Sequence, residues 1–209
     1  MNILIFGASG ATGHQLVKQA LAKGHHVKAF LRQNSRLRLM DARLNIIRGD
    51  INNLQEVSAA LEGQEAVLSA LGASSPFRYD QSIVDGLKII MRAMKICGVH
   101  RFVYMSFMGV SDSRKQAGLV VKYIAPALLA TEIRGHETRE KMIVESDLGW
   151  TIVRPPTLTN GKHLGQYRSG EDIQSKSFAA TISRADVADF MLNQLTTDKY
   201  LFGKPAVMY

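Results

Sequence analysis

Cysteine is almost missing from this 209-residue chain: Cys97 is the only one, so no intrachain disulfide can form. Such usage fits a reducing compartment. Long apolar runs are missing too. The longest, Leu119 to Ile133, is broken by Lys122, Pro126 and Glu132, and it falls short of the roughly 20 residues that a spanning helix requires. Met1-Asn2 leads into only Ile3-Leu4-Ile5-Phe6 before the first glycine, too short for the apolar part of a secretory signal. No internal repeat, low-complexity tract or Pro/Ser-rich linker divides the chain. The expectation is one domain covering residues 1–209, soluble and cytoplasmic, with no membrane partner.

Acidic residues are in deficit. There are 18 Asp and Glu against 26 Lys and Arg, a net charge of +8, which favours anionic partners. Nucleic acid is not expected, because no helix-turn-helix or zinc spacing is present and aromatics are not interleaved with basic residues. No His/Cys/Asp cluster has the spacing of metal ligands, so no metal is expected. Hydrophobic residues make up 46% and charged residues 21% of the chain, close to the globular average. Disorder and fibrous architectures are thereby excluded.

What is present is an alternation of short apolar runs and longer helical periods. Strands are expected at Ile3–Phe6, Val27–Leu31, Asn45–Arg48, Ala66–Leu71, Arg101–Met105 and Trp150–Val153. Between them, helices are expected at Ala11–Lys23, Leu54–Leu61, Gln81–Cys97 and Ile133–Ser146. A last helix opens at Ser183-Arg184-Ala185-Asp186, a capping-box arrangement, and runs to about Leu195. Strands alternating with helices imply parallel strands joined by right-handed crossovers. The fold class is therefore α/β: a single-domain Rossmann fold, a doubly wound and mostly parallel sheet with helices on both faces. Segments near 107–132 and 157–180 lack clear period and are expected to roof a site over the carboxyl ends of the strands.

Gly7-Ala8-Ser9-Gly10-Ala11-Thr12-Gly13 lies between the first strand and the first helix. Small residues are needed there for a tight turn, for close approach of backbone to a pyrophosphate, and for close packing of helix on strand. The helix N-terminus then offers free N–H groups to phosphate. In this context the glycines at 7, 10 and 13 mark a dinucleotide site. At the end of the second strand, where an acid would bind the ribose hydroxyls of NAD, stands Arg32, followed by Ser35, Arg36 and Arg38. A guanidinium suits phosphate oxygens, so the expected cofactor is NADP(H).

These residues resemble the atypical short-chain dehydrogenases, above all the flavin reductase/biliverdin-IXβ reductase group and the neighbouring NmrA-like proteins. The resemblance covers nearly the whole chain. It rests on Ile5 to Gly13, the Arg32 loop, Gly49-Asp50, Leu71-Gly72, Ser106, His136 to Lys141, Arg154-Pro155-Pro156, and the stretch Ile182 to Tyr200. It implies that Gly7, Ser9, Gly10, Ala11, Thr12 and Gly13 form the pyrophosphate turn, and that Arg32, Ser35 and Arg36 hold the 2′-phosphate. Asp50 and Ile51 would border adenine, and Leu71 and Gly72 the ribose. Ser106, Pro155, Pro156 and Thr157 would surround the nicotinamide, with Ser106 the candidate catalytic residue.

The chain departs from most short-chain dehydrogenases in one respect. Their Tyr-x-x-x-Lys proton donor is lacking: Tyr104 is followed four residues later by Met108 and Tyr123 by Ala127. Tyr200 and Lys204 match the spacing, but they lie beyond the last helix and are expected to be far from the fifth and sixth strand ends. His136 and Lys141 are expected at the surface and Cys97 in the core, while Phe107, Met108 and Tyr123 are candidate walls for a planar substrate. The expected activity is NADPH-dependent hydride transfer to a planar acceptor such as a flavin, quinone or tetrapyrrole. The alternative is an NADP(H)-binding redox sensor without turnover. A monomer or weak homo-oligomer is expected.

Overall fold

The computed structural model describes residues 1–72, 79–115, 130–175 and 180–209. Its centre is a six-stranded sheet of β1 (Asn2–Phe6), β2 (His26–Leu31), β3 (Leu44–Arg48), β4 (Ala66–Ser69), β5 (Arg101–Met105) and β6 (Gly149–Val153). The spatial order is β3-β2-β1-β4-β5-β6, and every pairing is parallel. This is the doubly wound arrangement, whose strand order reverses between β1 and β4.

Alternation along the strands divides the core. Ile3, Ile5, Val27, Ala29, Leu68 and Val153 face one layer. It is completed by α1 (Ala11–Ala22) and α5 (Arg184–Asn193), which contribute Leu16, Val17, Val187 and Met191. Leu4, Phe6, Phe30, Val67, Phe102, Tyr104 and Ile152 face the other. There α2 (Leu54–Leu61), α3 (Gln81–Ile96) and α4 (Ala130–Val144) pack with Val57, Leu87, Ile90 and Ile143. Burial on both faces is why β1, β2, β4, β5 and β6 read as largely apolar runs, whereas the edge strand β3 is mostly exposed.

Expected and observed elements differ mainly at their ends. β4 stops at Ser69 rather than Leu71, which leaves Leu71 and Gly72 on the loop above the sheet. Cys97 is the C-cap of α3 and only half buried, with its Sγ 3.7 Å from the Ser58 carbonyl.

The segment after β6 has more order than its lack of period suggests. It contributes β7 (Thr157–Thr159), paired in parallel with β9 (Thr181–Ser183), and β8 (Arg168–Gly170), paired antiparallel with β10 (Ala206–Met208). The tail is a correction to the sequence reading. Rather than lying apart, it runs beside β6, bridging Thr151 to Gly203 and Arg154 to Ala206. Strands this short leave no periodic signature; pairing partners far along the chain decide them. The first roof segment opens with a short 3-10 turn, Ser111–Lys115. Its stretch 116–129, including Tyr123, lies outside the described residues, as does 176–179 of the second. Among the described residues no helix is long and apolar enough to cross a membrane.

Candidate functional site

The turn between β1 and α1 is built around two glycines that tolerate no side chain. Gly7 has φ +76°, and a Cβ there would lie 2.6 Å from the Ala70 backbone. A Cβ on Gly13 would lie 2.0 Å from the Gly7 carbonyl oxygen. Both bring backbone against backbone, as the spacing requires. Gly10 is the N-cap of α1 and supplies no side-chain cap, and the first turn of the helix holds no acid. The leading N–H groups of α1 are thus open toward the strand ends, a ready anion site. Ala8 and Thr12 are buried, so at Thr12 it is the backbone that can face a phosphate.

Two adjoining clefts open from this turn. The first, about 360 Å³, is lined by Gly7, Ser9, Gly10, Arg32, Asp50, Ile51, Leu71 and Gly72, together with Phe30, Ala70, Asp80, Ser82 and Ile83. The second, about 690 Å³, shares Arg32, Asp50 and Ser82 and adds Ser35, Gln33, Asn34, Gly49 and Glu56. Nine of the expected cofactor residues therefore converge: Gly7, Ser9, Gly10, Arg32, Ser35, Asp50, Ile51, Leu71 and Gly72. Arg36 is exposed and is not part of either cleft wall.

Supporting contacts fix this end. Arg48 donates to the carbonyls of Gln33 and Ser35 at 3.1 and 2.7 Å, folding the Arg32 loop. Glu56 accepts the Asp50 N–H at 2.8 Å, while Asn52 bridges Asp50 and Ser82 at 3.2 and 3.0 Å. Gly86 on α3 admits Ile51, which a Cβ would meet at 2.5 Å. Phe30, Asp80 and Ser82 were not singled out by sequence. They come from the buried end of β2 and the start of α3, and no motif marks them.

At the carboxyl ends of β5 and β6 lies a second, buried arrangement. Pro155 and Pro156 are buried and Thr157 is exposed. The Pro155 carbonyl accepts the Met108 N–H at 2.8 Å. Met108 is fully buried and packs with Ala180, Ala206 and Met208, with Phe107 partly buried beside it. Ser106 is 4% exposed. Its hydroxyl lies 2.5 Å from Glu140 Oε1 and 3.4 Å from His136 Nδ1. Arg154 grips both oxygens of Glu140, Nε to Oε1 at 3.1 Å and the terminal nitrogen to Oε2 at 2.6 Å, and it also pairs with Asp112 at 3.0 Å. His136 Nδ1 stands 3.1 Å from the Tyr104 hydroxyl and Nε2 3.1 Å from Glu132. Arg139 reaches Glu132 at 3.5 Å and the Leu71 carbonyl at 3.5 Å, linking this network to the first cleft.

Burial governs the protonation of this cluster. It holds His136 below its ordinary value, outweighing the Glu132 hydrogen bond that favours the cation. It pushes the Tyr104 hydroxyl far up. Burial also opposes charge on Glu132, yet the hydrogen bond from His136, with the Arg139 guanidinium, keeps that carboxyl below the usual range. Burial likewise opposes charge on Arg154, but Glu140 and Asp112 more than restore it.

The surface position expected for His136 is thus corrected: it is buried, whereas Lys141 is exposed. Lys141, five residues on, does not share a helical face with His136. The partner of His136 on the helix is Glu132 at i−4, and Glu140 stands at i+4 on the same stripe. A polar stripe at helical spacing was the available signal. The Tyr200 hydroxyl meets Ser169 at 3.2 Å and its carbonyl accepts from Thr151 at 2.8 Å, so Tyr200 lies beside the middle of β6, an edge strand, rather than at its carboxyl end.

A family model described as NAD(P)H-binding matches residues 7–198. The chain belongs to this NAD(P)H-binding family. The match takes in both clefts and the buried network. Among curated relatives, an uncharacterized chloroplastic protein of Arabidopsis thaliana is 26% identical over 211 residues, covering 96% of this chain and 74% of that protein. A short-chain dehydrogenase/reductase of Veillonella parvula, solved in complex with NADP, superimposes with TM-score 0.81 at 20% identity. The alignment covers 99% of this chain and 93% of that one. ChuY from Escherichia coli O157:H7, described as an anaerobillin reductase, gives TM-score 0.81 at 20% identity, with 99% and 96% covered. Both share the Rossmann architecture. The glycine turn and the open α1 terminus of this chain fit the cofactor of its family on their own geometry.

Proposed function

We propose that the protein is a cytoplasmic, NADPH-dependent reductase that passes hydride to a planar acceptor: a flavin, quinone or tetrapyrrole. The observation that carries this reading is the first cleft, where the uncapped α1 terminus and Arg32 face one cavity whose far wall is the Leu71-Gly72 loop. In this reading, backbone at Gly10, Ala11, Thr12 and Gly13 holds the pyrophosphate. Arg32, Ser35 and Arg36 meet the 2′-phosphate. Asp50 and Ile51 flank adenine, and Leu71 and Gly72 the ribose. Ser106, with the Pro155-Pro156-Thr157 turn, borders the nicotinamide, the group that supplies hydride when the cofactor is bound. The segments near 107–132 and 157–180 roof the acceptor. Positioning of two flat rings supplies much of the catalysis of such a transfer. The NADP complex of the Veillonella neighbour and the reductase description of ChuY are consistent with this reading.

The test is NADPH oxidation followed by stopped flow with FMN, a soluble quinone and biliverdin. Oxidation above the protein-free rate with at least one acceptor is expected. If none accepts hydride, the reductase reading fails. A second reading, an NADP(H)-binding sensor without turnover, is favoured by one feature: the Ser106 hydroxyl is buried and already engaged by Glu140. Tight NADPH binding with no acceptor turnover would establish it.

A further inference from the structure

Two hydroxyls and one imidazole meet at the end of β5, and their hydrogens can be placed by elimination. Arg154 donates to both oxygens of Glu140, so this carboxylate is ionised and acts only as an acceptor. Ser106, 2.5 Å from Glu140 Oε1, must therefore be the donor of that contact. A serine hydroxyl has a single hydrogen. Once it is given to Glu140, only lone pairs remain on Ser106.

The neighbouring His136 cannot supply the missing hydrogen. Its Nε2 faces the Glu132 carboxylate at 3.1 Å and so carries the ring proton. Burial disfavours the cation; in the neutral ring with its proton on Nε2, Nδ1 is bare, and the Tyr104 hydroxyl 3.1 Å away donates to it. At 3.4 Å, Nδ1 and Ser106 Oγ are two acceptors side by side without a hydrogen between them.

We infer that Glu140, clamped by Arg154, is a positioning residue that fixes Ser106 as an obligate hydrogen-bond acceptor, so that this end of the site selects a ligand N–H, namely the carboxamide N–H of the nicotinamide cofactor. The assignment rests on the reading that Ser106 borders the nicotinamide. It also gives Ser106 a role different from that of an acid. Ser106 orients the ring and supplies no proton, so the proton that follows hydride transfer comes from solvent.

The first experiment uses the unaltered protein. Binding is measured by calorimetry for NADP⁺, for its 3-acetylpyridine analogue, in which a methyl replaces the carboxamide NH₂, and for 2′-phospho-ADP-ribose, which lacks the ring altogether. The analogue is expected to bind about tenfold more weakly than NADP⁺, the loss of about one hydrogen bond. Ser106→Ala should remove that difference while leaving 2′-phospho-ADP-ribose unchanged within twofold.

Glu140→Gln tests the lock itself. The shorter Arg154 contact holds the amide oxygen, which turns the amide NH₂ onto Ser106 and swings the serine hydrogen toward the site. The advantage of NADP⁺ over 2′-phospho-ADP-ribose should fall about tenfold, and the Ser106→Ala/Glu140→Gln double variant should lose no more. A merely structural role for Glu140 would weaken both ligands equally, and that result overturns the inference. So does an acetylpyridine analogue that binds the unaltered protein as tightly as NADP⁺, an outcome that holds even where the Glu140 variant does not fold. Failure of 2′-phospho-ADP-ribose to bind at all would instead overturn the cofactor reading of the clefts.

Discussion

At the scale of single residues, the glycines separate packing from binding. Gly13→Ala would drive a Cβ to 2.0 Å from the Gly7 carbonyl, which only displacement of α1 can relieve. A loss of about 2 kcal/mol or more is expected, together with loss of NADPH binding, read by chemical denaturation and calorimetry. A Cβ added at Gly72 would meet nothing within 4 Å, and this glycine lines the first cleft. Gly72→Ala should therefore change stability by no more than about 0.5 kcal/mol while weakening NADPH. An unchanged NADPH affinity would remove Gly72 from the binding site. Arg32 sits where the two clefts join. NADPH is expected to bind at least about tenfold more tightly than NADH, on the strength of charge-assisted hydrogen bonds to the extra phosphate. Arg32→Glu should erase the preference, and equal thermal shifts of the unaltered protein with the two cofactors would contradict it. Tyr200→Phe removes only the Ser169 contact and should leave turnover within about threefold, because loss of a general acid costs roughly 10²–10⁴-fold.

At the scale of elements, the start of α5 joins distant parts of the chain. Ser183 caps the helix, accepting the Asp186 N–H at 3.0 Å. Asp186 is fully buried and accepts from the backbone N–H of Leu164 and Gly165, from Ser183 and from Tyr209. Burial pushes its carboxyl up, but the hydrogen bonds from Tyr209, Gly165, Ser183 and Leu164 together hold it below the usual range. A depressed folded value means that the unfolded chain binds the proton more readily, so this stabilisation is complete above the unfolded value near 4 and is lost as pH falls toward the folded one. Asp186→Ala strands two backbone donors and should cost about 3 kcal/mol. Asp186→Asn keeps an acceptor for them, costs less at pH 7, and should flatten the acid limb of the stability profile, as measured by urea unfolding between pH 3 and 7.

At the scale of the whole molecule, α4 couples the two ends of the site. Its stripe of buried His136, Arg139 and Glu140 with partly buried Glu132 touches Leu71 above β4, Ser106 after β5 and Arg154 after β6. His136 adds its own pH dependence. Its folded value lies below the ordinary 6.5 because of burial, so stability should fall as pH drops below about 6.5 and the unfolded state takes up the proton. His136→Gln should remove the portion of that slope between pH 7 and 5. A slope unchanged in the variant would show that the ring is not the group responsible.

The sequence by itself determined the doubly wound sheet, because the apolar runs and the helical stripes record which faces each element buries. It also determined the glycine turn, since only glycine fits at 7 and 13 whatever the rest of the chain does, and the basic character of the loop after β2. Tertiary structure alone decided the rest. Phe30, Asp80 and Ser82 reach the first cleft only because the end of β2 and the start of α3 lie beside the turn after β1. The tail pairs with β6 and β8 through contacts of three-residue strands that carry no pattern of their own. The polar residues of α4 read as a solvated face until β5 and β6 bring Tyr104, Ser106 and Arg154 against them. Buried charges are identified by their partners, and partners from separate elements meet only when the chain is folded.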